Sequence, residues 1–209
     1  MRVRNLPWAK DYLPTQPSYV AKPNEYKGRW KEILQVDTLH LEIGSGKGDY
    51  WLAMSEQYPN EGWIGLERNT SIAALALKKA EGSFQKNRLF ICQDAKDLNE
   101  WFEKGELDVI HLNFSDPWPK KRNTKRRLTY RTFLEVYRNL LSDHGKVIMK
   151  TDNTQLFEFS LLEFQECRFH LEEVYLDFRK EDHPEDAISE YELKFMKQDH
   201  PIYRGIWRK

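Results

Sequence analysis

A carboxylate set against two prolines and a tryptophan, Asp116-Pro117-Trp118-Pro119, runs directly into Lys120-Lys121-Arg122-Asn123-Thr124-Lys125-Arg126-Arg127, where six of eight residues are basic. Each proline fixes its own φ and restricts the residue before it, so the chain around Asp116 is stiff. The chain balances 33 Lys/Arg against 33 Asp/Glu. Positive charge gathered this tightly in a neutral chain offers a local site for phosphates. A solvated charge run is the competing account of the basic block, and the rigid turn beneath it favours the binding account.

A second constellation lies upstream in Leu39-His40-Leu41-Glu42-Ile43-Gly44-Ser45-Gly46-Lys47-Gly48. Three alternate glycines directly after an apolar run let the backbone turn sharply and approach a ligand without an intervening Cβ. A phosphate-cradling loop needs glycine and Ser/Thr where this chain has Leu41 and Gly48, so that pattern fails. A dinucleotide fingerprint wants its third glycine where Asp49 stands. GxGxG preceded by an acidic residue fits S-adenosylmethionine (SAM), with Glu42 able to bond its amino-acid half and Gly44, Gly46 and Gly48 lining it. Glu67, 25 residues after Glu42, is placed to accept from ribose hydroxyls, and Asp94 from an adenine amino group. Each of these carboxylates alone is more often an ordinary helix N-cap. Their recurrence at successive strand ends is harder to assign to capping.

The elements that must position these groups are legible as alternating short apolar runs and longer amphipathic ones. Leu39–Ile43, Gly62–Leu66, Arg88–Cys92, Val109–Phe114 and Lys146–Met149 read as buried strands. Tyr50–Glu56, Thr70–Lys79, Asp97–Phe102 and Thr129–Leu141 read as the helices between them. This order predicts an α/β fold with a parallel sheet covered on both faces. A further helix over Gln155–Phe164 and two strands, Phe169–Phe178 and Ile202–Trp207, bring the sheet to seven strands. In such a sheet ligands sit beyond the carboxyl ends of the strands where the strand order reverses, which here means after the first and fourth strands. The glycine loop follows the first, and Asp116 the fourth.

Residues 1–37 hold Pro7, Pro14, Pro17 and Pro23 with no hydrophobic period, and are expected to form an irregular arm with one helical turn near Lys27–Leu34. Residues 38–209 are expected to form the single domain. Cys92 and Cys167 are far apart in apolar contexts, without metal-ligand spacing, and are read as reduced core residues. The six histidines form no metal or nucleophile pattern, so no metal is expected. No apolar run reaches the ~20 residues of a membrane span, and the first ten residues lack a signal-type apolar core, so a cytoplasmic protein is expected.

DPWPKKRNTKRR, together with Lys150-Thr151-Asp152-Asn153 and Ser189-Glu190-Tyr191-Glu192, resembles the bacterial tRNA (guanine-N7-)-methyltransferases over roughly Thr38 to the C-terminus. The resemblance implies a Rossmann-like class I methyltransferase fold, a doubly wound and mostly parallel seven-stranded sheet with an antiparallel last strand. It implies SAM as cofactor, held through Glu42, Glu67, Asp94 and Asp116, with Asp116 also catalytic. It places Lys120, Asp152, Ser189, Glu190, Tyr191 and Glu192 at substrate-contacting positions, and Arg122, Lys125, Arg126 and Arg127 on an RNA-contacting strip. Asp152 is suited to accept from N1 and N2 of guanine, or else to cap the helix that follows. The family usually carries Thr where this chain has Ser189, which keeps the hydroxyl and loses a methyl. The implied partner is tRNA, the implied target a variable-loop guanine, and the implied state a monomer or homodimer.

Two rivals follow from the same residues. Asp-Pro-Trp is akin to the Asp/Asn-Pro-Pro-aromatic turn of amino-group base methyltransferases, although Trp118 stands where those have a second proline. A noncatalytic RNA-binding protein on the same fold is the other, opposed by the glycine loop and its three carboxylates.

Overall fold

The computed structural model describes residues 5–209. In chain order the elements are α1 (Ala9–Tyr12), β1 (Tyr19–Val20), α2 (Trp30–Leu34), β2 (Leu39–Ile43), α3 (Asp49–Gln57), β3 (Gly62–Leu66), α4 (Thr70–Ala80) and β4 (Arg88–Ile91). They continue as α5 (Leu98–Trp101), β5 (Leu107–Asn113), α6 (Arg131–Leu140), β6 (Leu141–Thr151), α7 (Thr154–Glu166), β7 (His170–Tyr175), α8 (Glu190–Met196) and β8 (Tyr203–Arg208). All five residues of β2 and all five of β3 are buried, the mark of strands covered on both faces.

The strands form one sheet in the order β1-β4-β3-β2-β5-β6-β8-β7. Neighbours from β1 to β6 run parallel, and β8 is antiparallel to both β6 and β7. Strand order therefore reverses between β2 and β5. On one face Leu41, Ile64 and Ile110 pack with Trp30, Leu98, Leu134, Tyr137 and Phe157 from α2, α5, α6 and α7. On the other, Trp63 and Phe90 pack with Ala9, Trp51, Ala73 and Leu77 from α1, α3 and α4. Asn69 starts α4 because its side-chain oxygen accepts from the Ser71 and Ile72 amides at 3.0 and 3.2 Å.

The sheet holds eight strands where the sequence pattern indicated seven. The extra one, Tyr19–Val20, comes from the segment expected to be irregular and pairs with Phe90 and Ile91 on the open edge of β4. A two-residue strand has no periodicity to detect; its pairing is dictated by the edge it joins. That segment also buries Ala9, Leu13, Val20, Trp30 and Leu34, so residues 5–37 pack against both faces of the sheet. The strand expected at Phe169–Phe178 is shorter, His170–Tyr175, and a helix, α8, forms over Glu190–Met196.

Candidate active site

The carboxyl ends of β2 and β5 meet at the reversal of strand order, and two loops leave from them. Gly44 and Gly46 adopt φ of 82° and 55°, in the left-handed region that favours glycine, and a Cβ built on Gly44 would meet nothing within 4 Å. The loop is pinned from below: the Gly44 and Ser45 amides donate to the Leu66 carbonyl at 2.8 and 3.0 Å. Its concave side is therefore rigid backbone facing open space.

Glu42, at the base of this loop, is 2% exposed, and its Oε1 accepts from Asn113 Nδ2 at 2.9 Å. Its Oε2, the Asn113 Oδ1 and the Ser115 Oγ are buried with no hydrogen-bond partner. Three orphaned polar atoms at the ends of the paired strands β2 and β5 are expensive unless a ligand completes them. Two of them are acceptors only, which suits a ligand group carrying N–H donors and positive charge. Burial pushes the Glu42 carboxyl up to about 7, with the Asn113 amide and the Lys150 charge pulling the other way.

Glu67, past the end of β3, accepts from the Asn69 and Gly46 amides at 2.8 and 3.2 Å, tying the glycine loop to the start of α4. Burial raises its carboxyl while these amide bonds oppose the rise. Asp94 is exposed and accepts from the Lys96 amide at 3.1 Å, so it caps the short 3-10 turn after β4. Glu42, Gly44, Gly46, Glu67 and Asp94 thus lie along the carboxyl ends of β2, β3 and β4, and Gly48 leads into α3.

On the β5 side the chain turns through Phe114 and Trp118, both at positive φ, 52° and 40°. For aromatic residues this costs about 1–3 kcal/mol each and persists only where the surroundings impose it. Phe114 is held by its amide donating to the Lys150 carbonyl at 2.8 Å, and Trp118 by Arg127: its Nε donates to the Pro117 carbonyl at 2.9 Å, Nη2 donates to the Trp118 carbonyl at 3.4 Å, and its guanidinium lies 4.4 Å from the Phe159 ring centre. The Asp116 side chain is left open, with Arg68 the nearest cation at 3.9 Å. Arg127 therefore faces inward, while Lys120, Lys121, Arg122 and Lys125 are exposed on and before a 3-10 helix over Lys121–Arg126. Arg126 covers the Trp118 indole at 5.0 Å. Arg127→Ala is expected to destabilise the fold by about 1–3 kcal/mol, whereas Arg122→Ala, at an exposed position, should leave stability unchanged; thermal midpoints of the two variants check this.

Asp152 follows β6 and caps nothing: Asn153 takes that role, its Oδ1 accepting from the Leu156 amide at 2.8 Å. Facing it is Tyr191, half exposed on α8, whose ring packs on Phe114 with centroids 5.6 Å apart. Burial, then the charges of Asp152 and Asp116, push the Tyr191 phenol up. Tyr191, Asp152 and Asp116 therefore share one patch beside the glycine loop. Glu190 closes the patch on the other side, bonding Lys47 Nζ through both oxygens at 3.0 Å, and that bond holds its carboxyl below the usual range.

Ser189 and Glu192 stand differently. They form a capping box: the Ser189 hydroxyl accepts from the Glu192 amide at 3.1 Å, and the Glu192 carboxylate accepts from the Ser189 amide at 3.3 Å. The Glu192 side chain is fully buried between Lys150 and Arg179 and faces away from the patch. The S-x-x-E spacing is itself a helix-start signal that marks α8 in the sequence. Asn113 has no such signal, being one polar residue at the end of an apolar strand. His111 and His40 are buried beneath the site, 3.0 Å apart through ring nitrogens, and burial holds His111 well below the usual imidazole range, so it is neutral. Among the described residues no cluster of His, Cys, Asp or Glu is placed to hold a metal ion, and no helix is long and apolar enough to cross a membrane.

The profile of a family described as "Putative methyltransferase" matches residues 37–205. A tRNA (guanine-N(7)-)-methyltransferase of Listeria monocytogenes serotype 4b is 47% identical over 98% of this chain and 96% of its own length. The chain belongs to the tRNA (guanine-N7-)-methyltransferase family. A member from Streptococcus agalactiae serotype III is 43% identical over 98% of both chains. Among solved structures, an antibiotic-related methyltransferase aligns with TM-score 0.68 at 19% identity, covering 91% of this chain and 96% of that one. A 16S rRNA methyltransferase aligns at 0.62 and 13% identity, covering 84% and 89%. At these identities the structural neighbours speak for the fold, which is that of the methyltransferases; the family's sequence relatives span it almost end to end.

Proposed function

We propose that this protein transfers a methyl group from S-adenosylmethionine to N7 of a guanine in tRNA, in the cytoplasm. The observation that carries the proposal is the convergence of Asp116, Asp152 and Tyr191 beside the glycine loop, with a run of exposed cations following directly. Glu42, Gly44, Gly46, Gly48, Glu67 and Asp94 would hold the cofactor, and the orphaned acceptors of Glu42 and Asn113 suit its cationic amino-acid half. Bound there, the cofactor supplies an electrophilic methyl on a sulfonium.

Guanine N7 carries an in-plane lone pair, so no residue need remove a proton before attack. Alignment is the protein's main task, and positioning of this kind is worth roughly 7–11 kcal/mol of a barrier. Tyr191 offers an aromatic face for the base, and Asp152 two acceptor oxygens for N1–H and N2–H of guanine, which adenine lacks. N7 gains positive charge as the bond forms, so the Asp116 carboxylate, carried on a turn that Arg127 holds, favours the transition state over the neutral base. Lys120, Lys121, Arg122, Lys125 and Arg126 would take tRNA phosphates.

If all five neutralise a phosphate, log affinity falls against log salt with a slope of roughly 3.5; a slope near zero would remove the strip from the interface. The target atom is tested with a tRNA transcript whose guanosines are replaced by 7-deazaguanosine. Loss of methyl acceptance supports N7, and undiminished transfer supports an amino-group methyltransferase.

A further inference from the structure

Beneath the Tyr191 patch lie four charges that methyl transfer does not use. Lys150 of β6 and Glu192 of α8 have fully buried side chains, and those of Asp186 and Arg179 are 5% and 6% exposed. Lys150 Nζ is 2.5 Å from Asp186 Oδ2 and 2.9 Å from Glu192 Oε2; Arg179 reaches the same two carboxylates at 2.6 and 2.7 Å. The Tyr50 hydroxyl donates to the remaining Asp186 oxygen at 2.9 Å. Two cations and two anions make a neutral set in which every carboxylate oxygen is bonded, so none is free for substrate.

Desolvating four charges roughly cancels their attraction, so such a set adds little net stability. What it does here is geometric. It ties the segment 178–192, whose Glu181, Asp182, Pro184, Glu185 and Ile188 are exposed, to a sheet residue two positions before Asp152. Lys150 is also the register partner of Asn113, the residue bonded to Glu42. Tyr191 adjoins Glu192, so holding Glu192 also holds Tyr191 against Phe114.

We propose that Lys150 is a positioning residue for the guanine side of the site: acting with Arg179 through Asp186 and Glu192, it holds α8 so that Tyr191 faces Asp116 and Asp152. The proposal rests on the methyl-transfer reading of that patch. Its test uses the full chain with Lys150→Met/Glu192→Leu, which removes one charge of each sign and leaves the Arg179–Asp186 pair, beside Lys150→Met/Glu192→Gln, which keeps the charge balance and also the capping bonds. Four quantities are measured: kcat and KM for tRNA, SAM affinity, thermal midpoint, and amide exchange over 186–196.

The expected result for Lys150→Met/Glu192→Leu is a loss of kcat/KM for tRNA of roughly 10- to 100-fold, faster exchange over 186–196 and a SAM affinity that falls far less than tRNA turnover, since Lys150 also bears on Glu42, with Lys150→Met/Glu192→Gln losing as much although its capping bonds are kept. Unchanged exchange, or SAM affinity and thermal midpoint falling in step with tRNA turnover, would overturn it. Should the wild-type chain transfer no methyl to tRNA, the function would be wrong, and exchange over 186–196 would still decide whether Lys150 holds α8.

Discussion

Asp116→Asn is expected to lower kcat by roughly 10²- to 10³-fold, the range seen when one preorganised electrostatic partner of a transition state is removed, with tRNA affinity close to wild type. The substitution is isosteric, so the Asp116-Pro117-Trp118-Pro119 turn keeps its shape. That shape is set by Arg127 bonding the Pro117 and Trp118 carbonyls and not by the Asp116 side chain, which is 71% exposed with Arg68 3.9 Å away. Removing the charge therefore tests electrostatics separately from folding. The exposed cations proposed to take phosphates lie downstream of the turn and are untouched, which is why binding should persist. Single-turnover rates at saturating tRNA and SAM, set beside tRNA affinity, give the answer; near-normal turnover would remove Asp116 from the chemistry.

Glu42→Gln is expected to act in opposite directions on the free protein and on the cofactor. Burial raises the Glu42 carboxyl to about 7 in the folded chain, against 4.5 for an unperturbed glutamate. The native state therefore binds more protons than the unfolded state between these values, and stability falls as pH rises through that window. The penalty is absent below pH 4.5 and complete above 7, where it reaches about 3 kcal/mol. Glutamine carries no charge to desolvate, so the variant should gain thermal stability over wild type at pH 8 and show little difference at pH 4.5. Its SAM affinity should fall, because the orphaned acceptor proposed to receive the cofactor's cationic end is lost. In the wild type SAM binding should tighten as pH rises through about 7 and release a proton, measurable by calorimetry in buffers of different ionisation enthalpy. A stability difference between wild type and variant that stays constant from pH 4.5 to 8 would refute the assignment of Glu42 as the titrating group.

Much of the fold was legible because strands buried on both faces write themselves as unbroken apolar runs. β2 and β3 begin and end where Leu39–Ile43 and Gly62–Leu66 indicated, and the cap at Asn69 makes the start of α4 equally sharp. Tyr19–Val20 was hidden because a two-residue strand is defined by the edge of β4 and not by its own pattern. Within the site, residue types were more readable than their directions. The basic run gives no sign that Arg127 turns inward to bond carbonyls while Arg122 stays exposed. Ser189-Glu190-Tyr191-Glu192 is a contact motif by resemblance and a capping box by spacing; the structure builds the box, which sends Glu192 into the core and leaves Tyr191 facing the patch. Asp152 and Asn153 are neighbours with the same capping chemistry, and only the geometry at the end of β6 decides that Asn153 caps and Asp152 does not. Asn113 was illegible because its importance comes from Glu42, 71 residues earlier in the chain.

The central claim is that a guanine held between Asp116, Asp152 and Tyr191 is methylated on N7, and the most direct measurement is nucleoside analysis of unmodified tRNA after incubation with the protein and labelled SAM. Label recovered as 7-methylguanosine is the predicted result. Label recovered on an exocyclic amino group or on another base would contradict it.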